Sequence, residues 1–154
     1  GHDDDCNPAT KDGSADPSTG DKTCGDAASN QHAIPKDGTK ILIGGFNSNT
    51  KSDFFYLQFA APPAKTAFTR SIDLLGTGYA MTILTNCNGD FYDACTGGTA
   101  NAEEVKGWSV NYTYEKPGNG CCTNPDPKPN DVTVRVYRTS ISNTCADYTL
   151  TIKN

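Results

Sequence analysis

Apolar and polar residues alternate along this chain with a period of two, in short runs and without a longer helical rhythm. The clearest cases are Asp131-Val132-Thr133-Val134-Arg135-Val136-Tyr137 and Asp147-Tyr148-Thr149-Leu150-Thr151-Ile152. Such alternation turns one face of a strand to a core and the other to water. Earlier runs follow the same rule. From Lys40, Ile41 and Ile43 share a face ahead of a Gly44-Gly45 bend. Phe55, Leu57 and Phe59 alternate with Tyr56 and Gln58 until Pro62-Pro63, and residues 66–75 form a weaker strand. Tyr79, Met81 and Ile83 alternate with Ala80 and Thr82. Trp108, Val110, Tyr112 and Tyr114 alternate with Ser109, Asn111 and Thr113. Strands this closely spaced, with Gly, Asn and Pro between them, predict an all-β fold: a two-sheet antiparallel β-sandwich of jelly-roll type. No stretch has a clear helical period, and no internal repeat is present.

Composition sharpens this picture. At 154 residues the chain is one domain's worth. Its 35% hydrophobic content, 15 Gly and 9 Pro suit many short strands joined by turns. Seven Cys point to an oxidising compartment, so the sandwich is expected to be disulfide-stapled. No apolar run is long enough to span a bilayer, so no membrane insertion is expected. The chain reads as a mature secreted product whose signal peptide is gone, extracellular or at the cell surface.

Charge divides the chain in two. Residues 1–26 hold seven acids and two bases, and thus the whole net charge of −5; the remainder holds eleven of each. No basic patch suits a phosphate backbone, so nucleic acid is not an expected partner. Residues 1–30 also contain Asn7-Pro8, Asp12-Gly13 and Asp16-Pro17 and no hydrophobic period. They are read as an acidic N-terminal extension to a β-sandwich domain over 31–154. Order in such an extension requires a disulfide, a metal or a neighbouring molecule to hold it.

The order of strands resembles the bacterial pre-peptidase C-terminal domain family. An Asp precedes an aromatic-rich strand in Asp53-Phe54-Phe55-Tyr56-Leu57-Gln58-Phe59. A second strand, Met81 to Asn86, runs to an Asn88-Gly89 turn. A variable loop leads to Trp108–Tyr114, and the last two strands carry Val134-Arg135-Val136-Tyr137 and Tyr148-Thr149-Leu150-Thr151-Ile152. The resemblance covers roughly residues 26–153. It implies a jelly-roll-like sandwich with a non-catalytic accessory role on secreted hydrolases, in some members binding collagen or polysaccharide. The chain departs from the family in carrying no hydrolase domain and in its richness in Cys. The acidic entry of calcium-binding members is represented only by Thr23-Cys24-Gly25-Asp26.

Candidate chemistry is sparse. Catalysis by Ser or Cys needs a His base, and His2 at the terminus and His32, in a loop before Ile34-Pro35, offer no recognisable triad. Glu103-Glu104 and the pair Asp90/Asp93 are the carboxylates an acid–nucleophile pair would use, but adjacent acids in a polar loop are read as solvated, and the chain is not expected to be an enzyme. Calcium has better oxygen donors: Asp12, Asp16 and Asp21 in the tail, and Asn88, Asp90 and Asp93 between Cys87 and Cys95. Cys6 and Cys24 bracket the tail as Cys87 and Cys95 bracket their loop, and Cys145 is placed to reach Cys121 or Cys122. Each closed loop would stabilise by roughly 2–4 kcal/mol. With seven Cys one thiol stays unpaired within the chain, expected at Cys121 or Cys122. Asn111-Tyr112-Thr113 is a glycosylation sequon at Asn111. Phe54, Tyr56, Phe91 and Tyr92 are the aromatics best placed to bind a ligand outside the core.

These features predict a non-catalytic, secreted structural or adhesive protein, a subunit of an extracellular surface assembly or fibre held by its N-terminal extension. The alternative is an accessory binding module of a secreted hydrolase. The partners expected are other copies of itself or an extracellular polymer.

Overall fold

A computed structural model of the protein describes residues 23–46, 52–60, 68–84, 104–112, 131–140 and 146–154. Among the described residues, eight strands make up almost all of the regular structure: β1 (Gln31–Ile34), β2 (Thr39–Gly45), β3 (Ser52–Phe59), β4 (Phe68–Leu75), β5 (Tyr79–Leu84), β6 (Gly107–Tyr112), β7 (Asp131–Arg138) and β8 (Asp147–Lys153). They form two four-stranded sheets, β1-β3-β7-β5 and β2-β8-β4-β6. Odd-numbered strands all lie in the first sheet and even-numbered strands in the second, so each described strand is followed, among the described strands, by one in the opposite layer.

Alternating residues of the two sheets meet in one core. The first sheet contributes Phe55, Leu57 and Phe59 of β3, Val132, Val134 and Val136 of β7, and Met81 and Ile83 of β5; the second contributes Ile72, Trp108, Val110, Leu150 and Ile152. The two cleanest sequence alternations belong to β7 and β8, which sit in the interior of opposite sheets. Every ladder joins strands distant in sequence, such as β3 with β7 and β2 with β8. Closing such long loops before any contact forms slows folding. Refolding followed by the single Trp, the buried Trp108, is expected in milliseconds to seconds, and a microsecond phase carrying the whole amplitude would contradict this strand order.

The all-β sandwich expected from the sequence is present, with corrections. The sheets are not wholly antiparallel, because β1 runs parallel to β3, pairing Gln31 with Tyr56 and Ile34 with Phe59. Strands begin at Gln31, not Lys40, and His32 lies on β1 with its ring 5.8 Å from that of Phe55, not in a loop. A four-residue strand is too short to display a period. A six-residue helix, α1 (Cys24–Ser29), precedes it and packs on β3 and β7. Thr23 caps α1 by accepting the Asp26 N–H at 3.2 Å, and Ala27 is fully buried. Ile41 and Ile43 do share a face, but it is the outer one: they are 59% and 55% exposed, while the half-buried Leu42 packs against the core. All six residues of β5 are buried, so its alternation does not mark a wet face.

Candidate functional site

One acid and one hydroxyl meet deep in the sandwich. The Tyr148 hydroxyl donates a short hydrogen bond to Oδ2 of Asp53, and both residues are buried. Tyr148 also packs against Tyr79, Phe46 and Phe55, with ring centroids 5.0, 6.2 and 6.4 Å away. Gly44, opposite Tyr148 across β2 and β8, leaves room for it: a Cβ there would lie 2.5 Å from the hydroxyl oxygen. The Tyr79 hydroxyl accepts the Phe46 N–H at 2.9 Å and lies 2.7 and 2.6 Å from the carbonyls of Phe46 and Ala146, to one of which it donates. These polar groups tie the ends of β2, β3 and β8 to the core; they stand where no substrate reaches.

Their burial has a pH signature. Desolvation first, then the Asp53 charge and hydrogen bond, pushes the Tyr148 phenol far above its ordinary value near 10. Burial likewise raises Tyr79. The folded chain keeps protons that the unfolded chain releases above about pH 10. This stabilisation is therefore complete below pH 10 and is lost as pH rises beyond it. Phenolate absorbance near 295 nm is expected to appear together with unfolding, and Tyr148→Phe should remove one cooperative phenol from the titration. Full phenol ionisation in a still-folded chain would contradict this burial.

The outer face of the first sheet is different. Cross-strand register lays its outward residues in rows: Ser52 beside Tyr137, Phe54 beside Arg135, Tyr56 beside Thr133, and Gln58 beside Asp131. Phe54, Tyr56 and Tyr137 are half-buried, Arg135 is exposed, and Thr133 is buried. The Arg135 guanidinium lies 5.9 Å from the Phe54 ring centroid and 5.1 Å from that of Tyr137, and its Nε–H donates to Ser52 Oγ at 2.9 Å. These contacts fix the fork between two aromatic faces. Two rows away the Tyr56 hydroxyl donates to Asp131 Oδ2 at 2.8 Å. Partial burial first, and Asp131 next, raise the Tyr56 phenol. Beyond it an open groove of about 580 Å³ is lined by Ala33, Ile34, Pro35, Gln58, Phe59, Ala60 and Asp131. Thr133 lies between Arg135 and Asp131 in this row and is buried, so this strip of the face presents two separate groups: the Arg135 cation with the Phe54 and Tyr137 rings at one end, and Asp131 with Tyr56 and Gln58 at the other.

Phe54 and Tyr56, singled out from sequence, fall on this strip; Phe91 and Tyr92 lie outside the described residues. Arg135, Tyr137 and Asp131 were not foreseen there. Their parity along β7 was visible, but the register placing them beside Phe54 and Tyr56 was not. The possible calcium ligands Asp12, Asp16, Asp21, Asn88, Asp90 and Asp93 lie outside the described residues, as do His2, Glu103, Cys6, Cys87, Cys95, Cys121, Cys122 and Cys145. Glu104 is exposed beside Val105. Cys24 is half-buried at the start of α1, and Asn111 lies on β6 opposite Thr69 of β4. Among the described residues, no cluster of three or more His, Cys, Asp or Glu is placed to hold a metal, and no helix is long and apolar enough to cross a membrane.

The fold defines the chain as an all-β sandwich. No family model matches the sequence, and no curated protein matches it. Among solved structures it is similar to PliG of Aeromonas hydrophila, a periplasmic inhibitor of g-type lysozyme, at 11% identity and a TM-score of 0.43, over 80% of this chain and 96% of that one. It is also similar to the pre-peptidase C-terminal domain of collagenase from Bacillus anthracis, at 14% identity and a TM-score of 0.40, over 80% and 94%. Likeness at this level carries no argument about activity, and the functional reading rests on the chain's own residues.

Proposed function

We propose that this chain is a non-catalytic, secreted adhesion module that holds an extracellular polymer against the outer face of its first sheet. The observation that carries the reading is the strip on β3 and β7, where Phe54, Tyr56, Arg135 and Tyr137 stand together on a surface fixed by the core beneath it. A sheet face presents such groups in register along an extended chain, as binding without turnover requires. Retention on insoluble polysaccharides and on gelatin tests it. Phe54→Ala combined with Tyr137→Ala should abolish retention while the chain, lowered in melting temperature, keeps its β-sheet circular dichroism at the assay temperature. Undiminished retention by that variant would contradict the reading.

The finer sequence expectations belong to the same proposal: a jelly-roll sandwich over 31–154, an acidic extension over 1–30, and disulfide stapling. Cys24, which is disulfide-bonded, supports the last. Calcium on Asp12, Asp16 and Asp21, or on Asn88, Asp90 and Asp93, would supply the counter-charge these acids need. A melting temperature raised by calcium and lowered by chelation is its expected sign.

A second reading, a subunit of a surface assembly, is favoured by the other sheet. Ile43 of β2 and Leu75 of β4 flank Thr149 of β8 in one cross-strand row, Ile41 lies beside Thr151, and Leu75 is 77% exposed. Apolar residues grouped this way suit contact with another protein. Assemblies seen by sedimentation and dispersed by Ile43→Asp would support it; a monomer at all concentrations would remove it.

A further inference from the structure

We propose that the polymer held by this strip is an acidic polysaccharide, its uronate carboxylate taken by Arg135 and its sugar rings laid on the flanking aromatics; this rests on the reading of the strip as a binding face. Arg135 uses its Nε–H on Ser52 and its flat faces on Phe54 and Tyr137. No acidic side chain among the described residues is paired with it, and the residue is exposed. A guanidinium held this way is set for two parallel hydrogen bonds to a planar carboxylate. Immobilisation by the two rings lowers the entropy lost on binding.

The rest of the strip matches a sugar chain. The rings of Phe54 and Tyr137 offer apolar faces beside the cation, which suit the C–H face of a pyranose whose carboxylate lies in the ring plane. Four residues along β7, about 13 Å away at the usual strand rise, Asp131 and Gln58 offer acceptors and donors for sugar hydroxyls, with Tyr56 between. The buried Thr133 separates the two ends, so a ligand reaching both would cross a covered position between them. The Asp131 carboxylate would repel a second uronate placed beside it, so acidic and neutral positions alternating along the ligand suit the strip better than unbroken acid.

The test uses the full chain and two probes, hyaluronate and polygalacturonate, each as the acid and as its methyl ester, which keeps the sugar and removes the charge. Affinity electrophoresis or immobilised-polymer binding is expected to show retention by at least one acid, at least tenfold weaker binding to its ester, and weakening as salt rises. Arg135→Gln should lose at least tenfold on the acid and nothing on the ester, and Arg135→Lys should recover only part, because an ammonium lacks the planar fork. Arg135 is exposed, so both variants should melt like the parent. Equal binding of acid and ester, indifference to Arg135→Gln, or no retention by either acid would overturn the proposal. Retention on gelatin or a neutral glycan that is lost with Phe54→Ala and Tyr137→Ala would overturn it while leaving the binding-module reading intact. Loss of every polymer would overturn both.

Discussion

Replacing Tyr148 by alanine is expected to cost about 4–5 kcal/mol, enough to leave a chain of ordinary stability close to unfolded at 25 °C. Three effects combine. An aromatic side chain with no exposed surface disappears and its cavity is lined by Tyr79, Phe46 and Phe55. The hydroxyl that donates to the buried Asp53 carboxylate is lost. The β2–β8 pair loses the ring that Gly44 accommodates. Tyr148→Phe isolates the second effect and should cost about 1.5–3 kcal/mol, as for a hydrogen bond to a charged group. Gly44→Ala approaches the problem from the other side, forcing a methyl group against the Tyr148 hydroxyl at a cost of about 1–3 kcal/mol. Urea unfolding read by Trp108 fluorescence measures all three. A Gly44→Ala cost that persists undiminished beside Tyr148→Ala would show that the crowding lies elsewhere.

Arg70→Ala should be nearly as damaging, at about 3–5 kcal/mol. Arg70 is 1% exposed on β4, an unusual place for a guanidinium. Its Nε–H donates to Asn154 Oδ1 at 3.0 Å, Nη2 donates to the Ala60 carbonyl at 3.3 Å, and its guanidinium carbon lies 4.8 Å from the Phe59 centroid. Asn154 Nδ2 in turn donates to the carbonyls of Ala60 and Pro35 at 3.1 and 3.2 Å. One buried cation thus joins the ends of β1, β3, β4 and β8, and its removal leaves a cavity and takes the Arg70 donor from Asn154 Oδ1, while the Ala60 carbonyl keeps Asn154 Nδ2. Arg70→Met keeps most of the volume but not the donors, so it should cost less than the alanine, about 2–3 kcal/mol. Coupling between Arg70→Met and Asn154→Ala in a double-mutant cycle should fall between about 0.5 and 3 kcal/mol. Strict additivity would mean the two residues act independently.

The strands were legible where both faces kept different company. β7 and β8 each pack an inner row of Val, Leu, Ile or Tyr beneath a largely polar outer row; in β8 the alternation passes directly into burial, and in β7 it does so except at Thr133, an outer-row residue that is buried as well. β2 misled because its β-branched residues face water and its core face ends in Gly44, a position emptied for Tyr148. β1 and α1 were hidden by length, since four or six residues cannot establish a period. The parallel pairing of β1 with β3 left no mark, because pairing direction is set by where the connecting segment runs, not by the strand's own pattern. The strip was half legible. The parity of Phe54 and Tyr56 announced that they face away from Phe55 and Leu57. Arg135 joined them only through a register set by contacts made 80 residues along the chain. An arginine in a polar row otherwise reads as a solvated charge.

The central claim is that attachment occurs on the outer face of β3 and β7. Amide and side-chain NMR shifts of the full chain, titrated with hyaluronate oligomers, test it most directly. The account predicts perturbations centred on Phe54, Tyr56, Arg135 and Tyr137, with the Arg135 guanidinium resonance moving most and β2, β4 and β8 unmoved. Perturbations centred on Ile41, Ile43 and Leu75 of the opposite sheet, with β3 and β7 silent, would contradict it.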